Sequence, residues 1–141
     1  MTERPSVVFV CVSNRGKSVM AAALMRRHAG ATVDVSSAGV SAKAGGSVNE
    51  LSAEVLAEVD AADGLDDHEP RQLTEAIMTE ADLVVIVGPA ELDPPASVTI
   101  ERWAVDEPSI RGIDGIERMR LIRDDIDGRV ADLADRLSRR R

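Results

Sequence analysis

The chain has no tyrosine, and only one phenylalanine (Phe9), one tryptophan (Trp103) and one cysteine (Cys11) among 141 residues. Each scarcity excludes something. A single cysteine excludes an internal disulfide and suits a reducing compartment, so a cytoplasmic location is expected. With so few aromatic rings, the core must be built from Ala, Val, Leu, Ile and Met. Hydrophobic residues make up 44% of the chain, which suffices for one domain spanning 1–141. No apolar run reaches transmembrane length and no N-terminal stretch has the form of a signal peptide, which argues against a membrane role. Positive charge is in deficit: 17 Lys and Arg stand against 25 Asp and Glu, a net charge of −8. Such a chain is a poor candidate for nucleic-acid binding. The tail Ser138-Arg139-Arg140-Arg141 reads as a solvated helix end, its cations facing the negative pole of the helix.

Strand-like and helix-like segments alternate without repeats, which predicts an α/β fold: a parallel sheet with helices on both faces, in three α/β/α layers. The four predicted strands are 6–10, 32–36, 83–87 and 98–103. The third is uniformly apolar, as a central parallel strand should be. Predicted helices cover 17–29, ending at Gly30, and 48–59. A third opens at Pro70 and turns Leu73, Ile77 and Ala81 inward. The clearest period belongs to the last helix, where Met119, Ile122, Ile126, Val130, Leu133 and Leu137 step by three or four residues. Its opposite face of Arg and Asp reads as mostly solvated surface. Residues 39–46 and the acidic stretch 60–69 read as loops. His28, His68 and Trp103 read as structural residues, no metal-ligand spacing surrounds either histidine, and no metal ion is expected.

Chemistry concentrates at Val7-Val8-Phe9-Val10-Cys11-Val12-Ser13-Asn14-Arg15-Gly16-Lys17-Ser18. A β-branched strand ends in the sole cysteine, and a polar loop then opens a helix. A helix N-terminus presents unpaired N–H groups and a positive pole, and a tight loop feeding it curls further N–H groups around one anion. Gly16 permits close backbone approach and Asn14 tolerates a left-handed turn. Arg15 and Lys17 add positive charge, and Ser18 adds a hydroxyl. A thiol in such a field is expected to ionise readily and act as a nucleophile. The alternative is an inert cysteine closing a buried strand; the basic loop directly after it favours the reactive reading. Gly16-Lys17-Ser18 also ends a nucleotide-binding P-loop, but that motif needs a glycine where Cys11 stands.

At these residues the chain resembles the low-molecular-weight protein tyrosine phosphatases, in their arsenate reductase branch. The family pattern is a cysteine, five residues, an arginine and a Ser or Thr after the first strand; Cys11, Asn14, Gly16 and Ser18 match. Ser37-Ala38-Gly39, His68 with Pro70, and Trp103-Ala104-Val105-Asp106-Glu107-Pro108 resemble later landmarks. The resemblance implies Cys11 as nucleophile, Lys17 and Ser18 assisting it, an oxyanion held by Val12, Ser13, Asn14, Arg15 and Gly16, and Glu107 near Cys11 as a positioned acid, with Asp106 as a further candidate.

Four departures carry weight, the first being Glu107 where the family has an aspartate before proline. Lys17 stands where the family has arginine, and a point charge replaces a planar fork. Residues 88–95 hold none of the relay cysteines of thioredoxin-coupled reductases. Ala22 replaces a glutamate that helps some relatives bind potassium. The resemblance therefore implies a single-cysteine arsenate reductase that passes arsenic to an external thiol: mycothiol as co-substrate, with a mycoredoxin-like protein finishing the reduction. The alternatives are a phosphotyrosine phosphatase, against which the lack of tyrosine counts, and a non-enzymatic oxyanion-binding regulatory protein.

Overall fold

A computed structural model describes residues 4–43 and 45–139. Strands β1 (Ser6–Cys11), β2 (Asp34–Gly39), β3 (Leu83–Val87) and β4 (Ile100–Trp103) form one parallel sheet in the order β2-β1-β3-β4. Helices α1 (Lys17–Ala29), α2 (Glu50–Ala57), α3 (Glu75–Glu80) and α4 (Gly115–Ser138) cover it. Alternation in β1 divides the core. Val7 and Phe9 join α1, α2 and α4 in the larger cluster, whereas Val8 and Val10 meet Met78 of α3 on the other face. The expected three-layer α/β/α architecture with a four-stranded parallel sheet is therefore present. All six periodic positions of α4 are buried, and Phe9 packs against Trp103 with ring centroids 5.6 Å apart. Among the described residues no helix is long and apolar enough to cross a membrane.

Two elements differ most from their sequence reading, while α2 and β4 each start two residues later than expected, at Glu50 and Ile100. β2 runs on to Gly39 because it pairs with β1 through Cys11↔Gly39; ladder hydrogen bonds outweigh the weak strand preference of Ser-Ser-Ala-Gly. The third helix does not open at Pro70. Gly39 donates its N–H to the Arg71 carbonyl and Leu73 donates to the Gly39 carbonyl, both at 2.8 Å, so this segment runs alongside the end of β2. The helix starts after Thr74, whose hydroxyl accepts the Ile77 N–H. Leu73, Ile77 and Ala81 still pack on the smaller cluster.

The polar face of α4 is more than solvated surface. Arg118, Arg120, Arg123, Arg129 and Arg136 all form ion pairs, with Glu107, Glu58, Asp125 and Glu101 among their partners. His28 ties α1 to α4 through Asp127 at 2.8 Å. The helix ends with Arg139 paired to Asp135; Arg140 and Arg141 lie outside the described residues, as does Ala44 of the loop expected at 39–46.

Candidate active site

The loop 12–16 leaves the carboxyl end of β1, where ligands bind in open parallel sheets. Its shape depends on Asn14, which is fully buried and sits in the left-handed region at φ 58°. Every polar group of that side chain is used. Nδ2 donates to Ser18 Oγ and to Ser37 Oγ, each at 2.9 Å, and Oδ1 accepts the Arg71 N–H at 2.9 Å. The Asn14 carbonyl lies 2.8 Å from His68 Nε2. A carbonyl only accepts, so His68 carries a proton on Nε2. His68 is thus structural, as the sequence suggested, but the structure it supports is this loop.

Gly39 explains the Ser37-Ala38-Gly39 landmark. A Cβ there would lie 2.7 Å from the Val12 carbonyl oxygen and 2.8 Å from the Asn14 nitrogen. The loop therefore rests directly on the β2 backbone.

Cys11 is 7% exposed and faces two polar groups. The Asn14 N–H donates to Sγ at 3.3 Å, and Ser18 Oγ lies 2.9 Å from Sγ. Because Ser18 Oγ already accepts from Asn14, its own hydrogen is free to point at the sulfur. Among the described residues, the backbone N–H groups of Ser13, Arg15, Gly16 and Lys17 have no protein acceptor. These donors and the α1 N-terminus form a nest suited to a tetrahedral oxyanion. Val12 is exposed and spends its carbonyl on Ser41. Arg15 is anchored by Nε to the Ser47 carbonyl at 2.7 Å. Beside the loop lies a cavity of about 270 Å³, walled by Ser13, Arg15, Gly16 and Lys17, and by Ser52 and Arg118 from α2 and α4.

Residues 6–141 match the family model described as Low molecular weight phosphotyrosine protein phosphatase. The chain belongs to that family. A Halobacterium salinarum protein named "Putative arsenate reductase" is 34% identical over 137 residues, covering 90% of this chain and 89% of the relative. The solved arsenate reductase of Archaeoglobus fulgidus superposes with a TM-score of 0.70 at 30% identity, covering 92% of this chain and 98% of that one. The thioredoxin-dependent arsenate reductase Cg_ArsC1' of Corynebacterium glutamicum gives a TM-score of 0.79 at 28% identity. That comparison covers 99% of this chain and 65% of the longer one. The chain thus sits in an enzyme family whose solved structures include arsenate reductases.

Both carboxylates expected near Cys11 have partners of their own. Glu107 does lie beside the loop, with Oε1 4.0 Å from Lys17 Nζ. It is, however, clasped by Arg118, whose Nε and Nη2 donate to its two oxygens at 2.7 Å each, and it accepts the Ser109 hydroxyl and N–H. The Arg118 hydrogen bond above all, then those from Ser109, hold its pKa at about 2. These bonds favour the carboxylate form of Glu107 at neutral pH. Asp106 is turned away into a two-pronged pair with Arg111 at 2.8 and 3.0 Å, which lowers its pKa as well.

Neither Arg118 nor Ser52 stood out in the sequence. Arg118 was one of many charges on the outer face of an amphipathic helix, and Ser52 one serine in a short helix. Only their placement against the loop distinguishes them.

The depressed pKa of Glu107 has a stability consequence with a definite sign. A carboxylate whose pKa is lower in the folded chain stabilises it above the unfolded value of 4.5 and loses that contribution as pH falls toward about 2. Glu107→Gln is expected to flatten part of the acid limb of the unfolding midpoint between those values, measured by circular dichroism melts. An unchanged limb would mean that the clasp on Glu107 does not hold in solution.

Proposed function

We propose that the protein is an arsenate reductase of the single-cysteine kind, which passes arsenic to an external small thiol. The observation that carries this reading is the combination of a lone thiol in the nest with an ionised Glu107. Phosphate-ester hydrolysis leans on a proton donor for its leaving oxygen, and Glu107 in its present clasp supplies none. Arsenate needs less help, because arsenic–oxygen exchange is intrinsically fast. Family membership and the curated arsenate reductase relative support the same choice.

Arsenate enters the loop and is held by the free N–H groups of Ser13, Arg15, Gly16 and Lys17 and by the Lys17 ammonium. Cys11 Sγ attacks arsenic; an S–As bond forms, and an As–O bond breaks with its oxygen leaving as water after protonation from solvent. Ser18 orients the sulfur during attack and on its return. A small external thiolate then attacks the same As(V), forms a new S–As bond and releases Cys11 as thiolate. Reduction follows away from Cys11. A second thiol attacks the sulfur of the released adduct and an S–S bond forms. The S–As electron pair stays on arsenic, and As(V) becomes As(III) while two thiols become one disulfide. With no second cysteine in the chain, both thiols come from outside; mycothiol as acceptor and a mycoredoxin-like protein as second thiol fit that requirement.

The test is arsenate-dependent reductant consumption with mycothiol plus mycoredoxin, glutathione plus glutaredoxin, and thioredoxin alone, run side by side. The mycothiol system is expected to exceed thioredoxin alone by about tenfold or more, the factor set by about 1.4 kcal/mol of barrier. Turnover with thioredoxin alone at an equal rate would remove the external small thiol from the scheme. The family match itself supports a second reading, a phosphotyrosine phosphatase. Brisk hydrolysis of an aryl phosphate without added thiol would favour it.

A further inference from the structure

We propose that Arg118 of α4, with the buried hydroxyl of Ser52 of α2, completes the oxyanion cradle and supplies the planar fork that the loop itself lacks. The proposal rests on reading the loop as an oxyanion site. It makes Glu107 the orienting partner of Arg118 rather than a proton donor.

The first observation is the hydrogen-bond inventory of Arg118. A guanidinium carries five N–H donors in a rigid plane. Glu107 takes the edge formed by Nε and Nη2, and Nη1 makes a weak contact with Met119 Sδ at 3.5 Å. The outer edge, with one N–H from each terminal nitrogen, remains available. Such an edge can bind a carboxylate, phosphate or arsenate through two parallel bonds, as the opposite edge already binds Glu107. Held on its other edge by an ionised carboxylate, the plane is already oriented, so little rotamer freedom is lost on binding.

The second observation is Ser52. Its side chain is fully buried, and its Oγ has no hydrogen-bond partner among the described residues. A buried hydroxyl without a partner is a standing cost to the fold. Ser52 lines the same cavity as Arg118, Lys17 and Gly16, and its Oγ is 3.8 Å from where a side chain on Gly16 would begin. An oxyanion lodged there would give that hydroxyl an acceptor.

The third observation is charge. Arg15, Lys17 and Arg118 line this cavity and, among the described residues, no carboxylate does, although the chain as a whole carries −8. Glu107 approaches Lys17 only at 4.0 Å, so it balances part of this charge without filling the space. Lys17 provides the point charge and Arg118 the directional fork, two functions that one arginine on the loop would combine.

The experiment is direct binding of inorganic phosphate and of arsenate to the full chain by titration calorimetry. Wild type, Arg118→Gln, Arg118→Lys and Ser52→Ala are compared, each checked for folding by circular dichroism. Arg118→Gln is expected to weaken both oxyanions by about tenfold or more, and Arg118→Lys by nearly as much, because a point charge does not replace the fork. Ser52→Ala is expected to weaken them about threefold while the melting temperature without oxyanion stays level or rises, since an unpaired hydroxyl is removed. Should Arg118→Gln fail to fold, Arg118→Lys and Ser52→Ala carry the comparison. Binding in the folded Arg118 variants within about twofold of wild type would overturn the proposal and leave the loop as an oxyanion site. Absence of binding to wild type would overturn both.

Discussion

Replacing Cys11 by serine is expected to lower arsenate-dependent thiol consumption by about a thousandfold or more, equivalent to about 4 kcal/mol of transition-state stabilisation. The same variant should bind phosphate within about threefold of wild type, a difference under about 0.7 kcal/mol. The contrast follows from the geometry. The sulfur is the only nucleophile of its kind in the chain, but it is not what shapes the nest. Asn14, Ser37, His68, Arg71 and Gly39 hold the loop whether sulfur or oxygen sits at position 11. A hydroxyl there can still accept the Asn14 N–H. Binding and chemistry should therefore separate cleanly in two measurements on one protein: calorimetry with phosphate, and a coupled reductant assay with arsenate. Equal reductant consumption by the two proteins would show that the thiol acts on arsenate without Cys11.

The second large effect is expected far from any charged group. Gly39→Ala places a methyl 2.7 to 2.9 Å from the Val12 oxygen, the Asn14 nitrogen and the Ser13 carbonyl carbon, all of them backbone atoms. A flexible side chain could swing aside; a backbone on both sides cannot. Either β2 separates from β1 at Cys11↔Gly39 or the loop lifts from its seat. A site that depends on several N–H groups aimed at one anion tolerates little displacement, and a shift of about 1 Å can cost about a hundredfold in rate. Activity should fall by about that factor or more, while stability falls by only about 1–3 kcal/mol, as for other overpacked positions. Kinetics together with a urea melt check this. A variant that retains the wild-type rate would show that the loop is not seated on β2 as described.

The sheet was legible because its strands carry strong periodic or uniformly apolar signals, and α4 because six buried positions recur at helical spacing. The Cys11 loop was legible because the pattern is local: strand end, polar loop and helix start follow one another in sequence. What could not be read is what reaches that loop from a distance. Arg71 contributes through its backbone N–H, which has no sequence signature. The segment from Pro70 to Leu73 carries a residue favoured at helix starts but is drawn alongside β2 by two backbone hydrogen bonds. Glu107 could be read as a carboxylate beside the loop, but not its clasp by Arg118, eleven positions later on another element, which lowers its pKa. Residue type sets what a group can do; its neighbours in space set which form it holds.

The absence of tyrosine, met first as an exclusion, turns the protein into its own spectroscopic probe. Trp103 is the sole indole in the chain. It is 4% exposed, stacked obliquely on Phe9, with its N–H donated to Glu101 at 2.7 Å. Its strand β4 runs directly into the segment that carries Glu107, while Phe9 lies two residues before Cys11. Indole emission therefore comes from one ring on β4, packed against the strand that ends in Cys11 and free of any tyrosine contribution, so a rearrangement of either segment has a single indole signal in which to register.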